Sequence, residues 1–437
     1  MAKITRRNFI KTTTQAVLVS GMMAQGRVFG ANDRVNLAVM GVNGRGQSHI
    51  GGFGFGVDKD NKATRYDDSN VVAMIDVDSK VLKDRVGKYK YYTGETPTAY
   101  NDVRDALADK NVDALSIATP NHWHSLASIW AIKAGKDVYV EKPLSHNIYE
   151  GRKLADLYHN SDRIVQHGTQ SRSDARWLRD IKLIHEGFLG DIHMAKGHTY
   201  KTGNRRSLGF SPNEGAPDNL DWNMWQGPAA RQKYKKNYVH YNWHWFWDYG
   251  NGETGNQGVH QMDVAVWGMN KGMPTKVYSS GGRYHWDDEA ETPNTQATTF
   301  TYADGSTMVF EIRNYGSYKE AGELTTGNTF WGEKGYYVQN KGFFSMNHEP
   351  IPIPDDAMTP ATNGHFRNFI NACKTRNKAD IYGNAEEGHI SSAHCHLANA
   401  AYRVGDSLEI DSKKERFKGN KEANALLTRD YAKGFEV

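Results

Sequence analysis

Over the first third of the chain, short aliphatic runs alternate with longer segments in which apolar residues recur at helical spacing. The runs are Val35 to Met40, Val71 to Ile75, a short one near Thr98, Val112 to Ala118, Asp137 to Val140 and Arg163 to Gln166. Runs this short and this apolar read as strands covered on both faces, and their alternation with helices predicts a parallel, doubly wound α/β sheet. Ligands of such a sheet bind beyond the carboxyl ends of its strands. Gly41, Asp76, Thr119 and Lys142 each follow one of those ends.

Further along, the period shifts towards two. Met308, Phe310 and Ile312 alternate with Val309, Glu311 and Arg313, and Ala303-Asp304-Gly305 turns the chain back from the run Thr295 to Tyr302. Runs at Ile192 to Tyr200, Lys276 to Arg283 and Gly335 to Gln339 complete a pattern that predicts a large, mostly antiparallel sheet. Asp174 to Glu186, Gly364 to Lys374 and Ala385 to Tyr402 read as helices. The predicted organisation is a leader over 1–30, a nucleotide-binding α/β domain over 31–165 and an α+β domain over 166–404. A polar, charge-alternating and solvated tail occupies 405–437.

Composition is that of a soluble globular protein, 38% hydrophobic and 24% charged, and no stretch reaches the ~18 apolar residues of a membrane-spanning helix. The leader changes the reading of charge. Arg6-Arg7-Asn8-Phe9-Ile10-Lys11, followed by the small-residue segment Ala16 to Ala24, looks like a twin-arginine export signal, with cleavage near Gly30 or Ala31. It holds Lys3, Arg6, Arg7, Lys11 and Arg27 and no acid, so a formal charge of +4 falls to −1 without it. The basic balance belongs to the leader, and nothing points to a nucleic-acid partner. Cys373 and Cys395 make neither a disulfide framework nor a zinc site; they read as buried thiols or one bridge.

Gly41-Val42-Asn43-Gly44-Arg45-Gly46 follows the first strand. In a dinucleotide fold the first glycine permits the tight turn, the second lets a pyrophosphate approach, and the third lets helix pack on strand. Here Gly41 and Gly46 take the first and third places, and Asn43 stands at the second beside Gly44. Asp76, at the end of the second strand, suits ribose hydroxyls and repels a 2′-phosphate, favouring NAD over NADP; Lys80 nearby is the counter-argument. The polar stretch Gly51 to Ser69 accounts for the long interval between Gly46 and Asp76.

Those residues, with Thr119-Pro120-Asn121-His122-Trp123-His124, Ala134-Gly135-Lys136 and Glu141-Lys142-Pro143, resemble the glucose-fructose oxidoreductase/inositol dehydrogenase/MocA family. The resemblance runs from about Arg34 to about Arg403. It implies that Gly41, Asn43, Gly44, Arg45, Gly46, Asp76, Thr119, Pro120, Asn121, His124, Glu141 and Lys142 bind the cofactor, with Lys142 also beside the reacting hydroxyl. It implies, too, a second-domain sheet whose open face pairs with another subunit, giving a homo-oligomer, dimer or tetramer.

The family's Asp-x-Gly-x-His motif reads here as Asn256-Gln257-Gly258-Val259-His260. His260 fits as a catalytic proton carrier beside Lys142. Asn256 departs from the pattern, because an amide neither holds a negative charge nor accepts a proton; Asp263, one turn later, is a substitute for orienting His260. Five of the eleven tryptophans, Trp222, Trp225, Trp243, Trp245 and Trp247, fall in one stretch with Tyr238, His240, Tyr241 and His244. Such rings suit the C–H faces of a pyranose or, equally, a core or subunit interface. Trp245, Trp247, His244 and Asn256 are the candidate substrate residues, and no metal site is expected.

The reading is an exported NAD-dependent oxidoreductase, with NADP as the alternative cofactor, acting on a sugar, polyol or glycoside hydroxyl. Outside the cytoplasm it would hold and recycle its nucleotide. A redox-assisted glycoside hydrolase and a non-catalytic sugar-binding protein are the alternatives.

Overall fold

The computed structural model describes residues 33–60, 62–201, 207–320 and 324–437. The twin-arginine segment, over 1–30, lies outside them. The first domain holds β1 (Val35–Met40), β2 (Phe55–Val57), β3 (Ala63–Arg65), β4 (Ser69–Ile75), β5 (Thr98–Tyr100), β6 (Ala114–Ile117), β7 (Asp137–Val140) and β8 (Val165–His167). Six of them form the predicted parallel sheet in the order β5-β4-β1-β6-β7-β8. Its central strands are buried on both faces, because helices cover each side and leave no position for a polar residue facing water. The chain order reverses between β1 and β6, which opens a crevice above their carboxyl ends. The stretch between Gly46 and Asp76 is a helix, Gly46–Gly54, followed by the β2–β3 hairpin.

The second domain contributes β9 (Ile192–Thr199), β10 (Lys276–Gly282), β11 (Thr295–Thr301), β12 (Thr307–Arg313), β13 (Thr326–Gly332), β14 (Gly335–Val338), β15 (Gly342–Ser345), β16 (Pro350–Ile351), β17 (Leu408–Asp411) and β18 (Arg416–Phe417). They make one ten-stranded sheet, β16-β15-β14-β13-β9-β12-β11-β10-β17-β18, antiparallel except where β9 meets β12. Met308, Phe310 and Ile312 face a core of helices, whereas Val309, Glu311 and Arg313 stay partly exposed on the opposite face. The long helix Ala385–Val404 crosses this core. Its start is fixed by a capping box between Asn384 and Glu387, and it ends at Gly405 in the left-handed region. Cys373 and Cys395 are buried free thiols.

Residues 405–437 are not a solvated tail. β17 and β18 extend the large sheet, and Leu408, Ile410, Phe417, Ala423 and Leu427 are buried in its core. Near the end, Phe435 packs edge-on against Trp123, and the Arg429 guanidinium meets the fully buried Glu150 carboxylate at 2.8 Å. Alternating charges fit an edge strand as well as a tail, since only every second residue of such a strand is buried.

Candidate functional site

A cavity of about 480 Å³ lies at the seam, bounded by the carboxyl ends of β1, β4, β6 and β7 on one side and by Asn256 and His260 on the other. The first turn after β1 is closely packed. Gly41 has φ +79°, and a Cβ there would sit 2.9 Å from the Ala118 carbonyl; a Cβ on Gly46 would sit 1.9 Å from the Gly41 oxygen. Neither position admits a side chain, so backbone amides line this end of the cavity. Gly44 is different: a Cβ there would meet nothing within 4 Å. Asn43 lines the cavity beside it, and Arg85 reaches back from the next helix to donate to the Val42 carbonyl at 3.1 Å.

Asp76 accepts the amides of Val42 at 2.9 Å and Asp78 at 3.0 Å, one on each oxygen. Each oxygen keeps a lone pair for a hydroxyl. Burial raises the Asp76 pKa against the pull of those amides. Across the cavity the hydroxyl oxygen of Thr119 is buried with no partner among the described residues. A turn that excludes side chains, a strand-end carboxylate with spare acceptor capacity and an unpaired hydroxyl together fit a dinucleotide.

Glu141 works as a tether. One oxygen accepts from Arg45 at 2.7 Å, Gln170 at 3.1 Å and His49 at 3.2 Å, and the other from its neighbour's amide at 3.3 Å. It therefore ties the glycine turn to the base of Lys142, and these cationic and donor neighbours hold its pKa well below the usual carboxylate range despite burial. His124 is likewise committed, with ring nitrogens 2.6 Å from the Pro143 carbonyl and 2.9 Å from that of Thr119. Asn121 donates to Asn251 at 2.9 Å. Pro120 and Asn121 also line the cavity. Glu141 and His124 both line the cavity, and their polar atoms also hold the loops around it in place.

Lys142 reaches across the seam, donating to the Asn256 backbone oxygen at 2.6 Å and its amide oxygen at 3.2 Å. Burial lowers its pKa to about 8, against the opposing fields of Glu141 and Glu253. His260 stands on the same cavity and is held neutral, its pKa pushed down to about 3 first by burial and then by the Lys142 ammonium. Asp263 does not orient it. That carboxylate faces the other way, paired with Arg172 at 2.9 Å and accepting from Ser391 at 2.6 Å, because one helical turn carries it into the core. Asn256 and His260 share the cavity because Thr254–Gly258 is a π-helical turn leading into the helix Val259–Met269.

The aromatic stretch divides. Trp222, Trp225 and Trp243 pack with Tyr238, Phe246 and Tyr249 in a small core of their own, which docks on the first domain through hydrogen bonds such as Asp221 amide to Val77 oxygen at 2.9 Å. His244 and Trp243 also line the main cavity, stacked with ring centroids 3.5 Å apart. Trp245 and Trp247 do not line it. Trp247 turns to a separate cavity beneath the Arg403 guanidinium, and Trp245 to another. Consecutive odd positions in an irregular segment carry no periodicity that would tell these faces apart. Sequence reasoning missed Asn101 and Gln170, which line the cavity, and named His240 and Tyr241 only as members of the aromatic stretch; His240 meets Asp78 at 3.2 Å, and only the docking of that stretch brings it there. Among the described residues no group of side chains could hold a metal ion.

A parallel nucleotide-type sheet joined to a large open sheet, with a lysine and a histidine facing each other across the seam, defines a two-domain oxidoreductase. Residues 35–169 match the family model described as "Oxidoreductase family, NAD-binding Rossmann fold", and residues 178–437 match "Oxidoreductase family, C-terminal alpha/beta domain". The chain belongs to the Gfo/Idh/MocA oxidoreductase family, and its first domain is an NAD-binding Rossmann domain. A myo-inositol 2-dehydrogenase of Thermotoga maritima is 30% identical over 118 residues, 27% of this chain and 35% of that protein. A glycosyl hydrolase family 109 protein of Shewanella pealeana is 24% identical over 220 residues, 44% of each chain. These alignments span less than half the length of either relative. The WlbA dehydrogenase of Bordetella pertussis, solved with NADH and UDP-GlcNAcA, shares the fold with a TM-score of 0.62 at 18% identity, over 86% of this chain and 99% of that one.

Proposed function

We propose that this protein oxidises a ring hydroxyl of a sugar, polyol or glycoside, with Lys142 and His260 at the reacting centre. The observation that carries the reading is a partly buried lysine of pKa about 8 facing a neutral histidine across a dinucleotide-type cavity. Bound NAD would supply the hydride acceptor. The Gly41–Gly46 turn would take the pyrophosphate on its amides, Asp76 the adenosine ribose hydroxyls, and Thr119 the nicotinamide side.

Lys142, fixed by two Asn256 oxygens, points its remaining N–H or lone pair into the cavity. In its amine form it takes the hydroxyl proton as the C–H hydride leaves; in the reverse direction the ammonium returns that proton to the carbonyl oxygen. A pKa near 8 suits both directions close to neutrality. His260, with a pKa of about 3, is too weak a base to share that task at neutral pH. It orients the hydroxyl by hydrogen bonding.

The leader motif Arg6-Arg7-Asn8-Phe9-Ile10-Lys11 supports export in a folded state, where a retained nucleotide would be recycled between substrates on a homo-oligomeric enzyme. The match to a glycosyl hydrolase family 109 protein favours a second reading, redox-assisted glycoside hydrolysis; retention of Lys142 supports net oxidation instead. The test is to purify the protein without added nucleotide, denature it and identify what is released, then assay sugars with wild type and Lys142→Ala. Stoichiometric NAD(H), and turnover lower in the variant by about 10²-fold or more, are the expected results. Unchanged turnover in Lys142→Ala would sink the mechanism.

A further inference from the structure

The main cavity does not end at Lys142 and His260. Tyr241 forms part of its wall and also part of the wall of a second cavity of about 320 Å³. The Tyr241 hydroxyl accepts from Asn256 at 3.5 Å, so this shared wall stands one residue away from the Lys142 ammonium. Beyond it lie Trp245, Trp286, Arg283, Asn294 and Asn314. This part of the molecule is built from loops after β10 and β12 and from the aromatic stretch, and none of it belongs to the nucleotide side.

Its polar groups are held in place beforehand. Asp288 grips Arg283 through two contacts, at 2.7 Å and 2.6 Å. Asn294 is fixed at both ends of its amide by the backbone of Tyr284, at 3.1 Å and 2.7 Å. Arg283 lies over the Trp286 ring, and Tyr315 meets the same ring edge-on at 5.9 Å. Of the rings lining this cavity, Tyr241 is 50% exposed. Aromatic faces beside a rigid arginine and amides are the chemistry that holds a sugar ring, apolar C–H faces on the rings and hydroxyls on the amides.

We propose that the second cavity is a subsite for a second sugar ring, so that the substrate is a glycoside of at least two rings. The reacting ring sits at Lys142 and His260, and the other passes Tyr241 to lie against Trp286 and Trp245. This rests on the proposed function and narrows its substrate class. Trp286 lies in a loop between β10 and β11, so removing its ring leaves both sheets intact.

The test is calorimetric titration of the NAD-loaded full-length protein with glucose, galactose, cellobiose, lactose and maltose. At least one disaccharide binds about tenfold more tightly than either of its monosaccharides, the margin of one well-placed ring contact. Trp286→Ala removes that margin and leaves monosaccharide affinity unchanged, whereas Trp286→Phe keeps most of it. Monosaccharides that bind with no disaccharide advantage, or an advantage that survives Trp286→Ala, overturn the subsite and leave the proposed function standing. If no sugar binds while NAD does, both readings fall.

Discussion

Lys142 meets two neutral oxygens of Asn256 where the family's motif would offer a carboxylate. Carbonyl dipoles orient the ammonium without adding a negative charge, and burial then wins, leaving the pKa near 8. Asn256→Asp places a charge at that 3.2 Å contact, and an opposite charge so close raises a pKa by about 1 unit or more. In the oxidation direction, kcat/KM of the wild type rises with pH and levels above about 8, and in the variant the same limb moves to higher pH. Measured pH–rate profiles decide it; a limb that does not move would show that another group titrates there. The place of Lys142 at a strand's end was legible from residue order, and its chemistry from the resemblance that Glu141-Lys142-Pro143 and the motifs before it carry. Its partner was half legible: the departure at Asn256 stood in the sequence, but not the fact that backbone and side chain of one residue both hold the lysine.

At the scale of elements, the central strands β1, β6 and β7 of the first domain match their aliphatic runs closely, since a strand buried on both faces has little room for polar positions that blur its ends. The C-terminal elements did not show in the same way. β17 hides in a charged segment with Leu408 and Ile410 as its only inward residues, and the chain near Arg429 is anchored by an ion pair that no apolar pattern announces. Arg429 and Glu150 are 2.8 Å apart with the carboxylate fully buried. Breaking a buried pair strands a charge, at a cost of about 3 kcal/mol. Arg429→Ala is therefore expected to lower unfolding free energy by that order in urea titration, although a solvated tail would predict no change.

For the molecule as a whole, folding buries many histidines, at the seam and within the cores. His122, His260 and His396 have pKa values pushed down to about 3, and His365 and His394 to about 4, each first by desolvation. Between about pH 4 and pH 6.5 the unfolded chain binds protons at these sites that the native state refuses. Stability therefore falls as pH falls, each group contributing about 1 kcal/mol at pH 5.5. Carboxylates scarcely titrate in the upper half of that window, which separates the two causes. Urea midpoints at pH 7.5 and 5.5 should differ clearly; equal midpoints would mean that these rings are protonated in the native state.

The sequence by itself determined the α/β architecture with its parallel and antiparallel sheets, the nucleotide turn and the strand-end carboxylate, while the lysine–histidine pair was legible only through the family resemblance of the motifs around it. All of these depend on short-range order: a glycine needed by a turn, a residue placed at a strand's end, a period of two or of 3.6. Tertiary structure alone decided what the irregular aromatic stretch does. Five tryptophans of equal local promise became three members of a small core, two of which also line the main cavity, and two walls of separate cavities, because their faces are set by docking on the first domain and not by any repeat along the chain. It likewise turned Asp263 inward to Arg172 and made Glu141 and His124 tethers. Glu141 and Asp263 meet side-chain partners dozens of residues away or more, and His124 meets the carbonyls of two nearer loops, contacts that only the folded chain brings together.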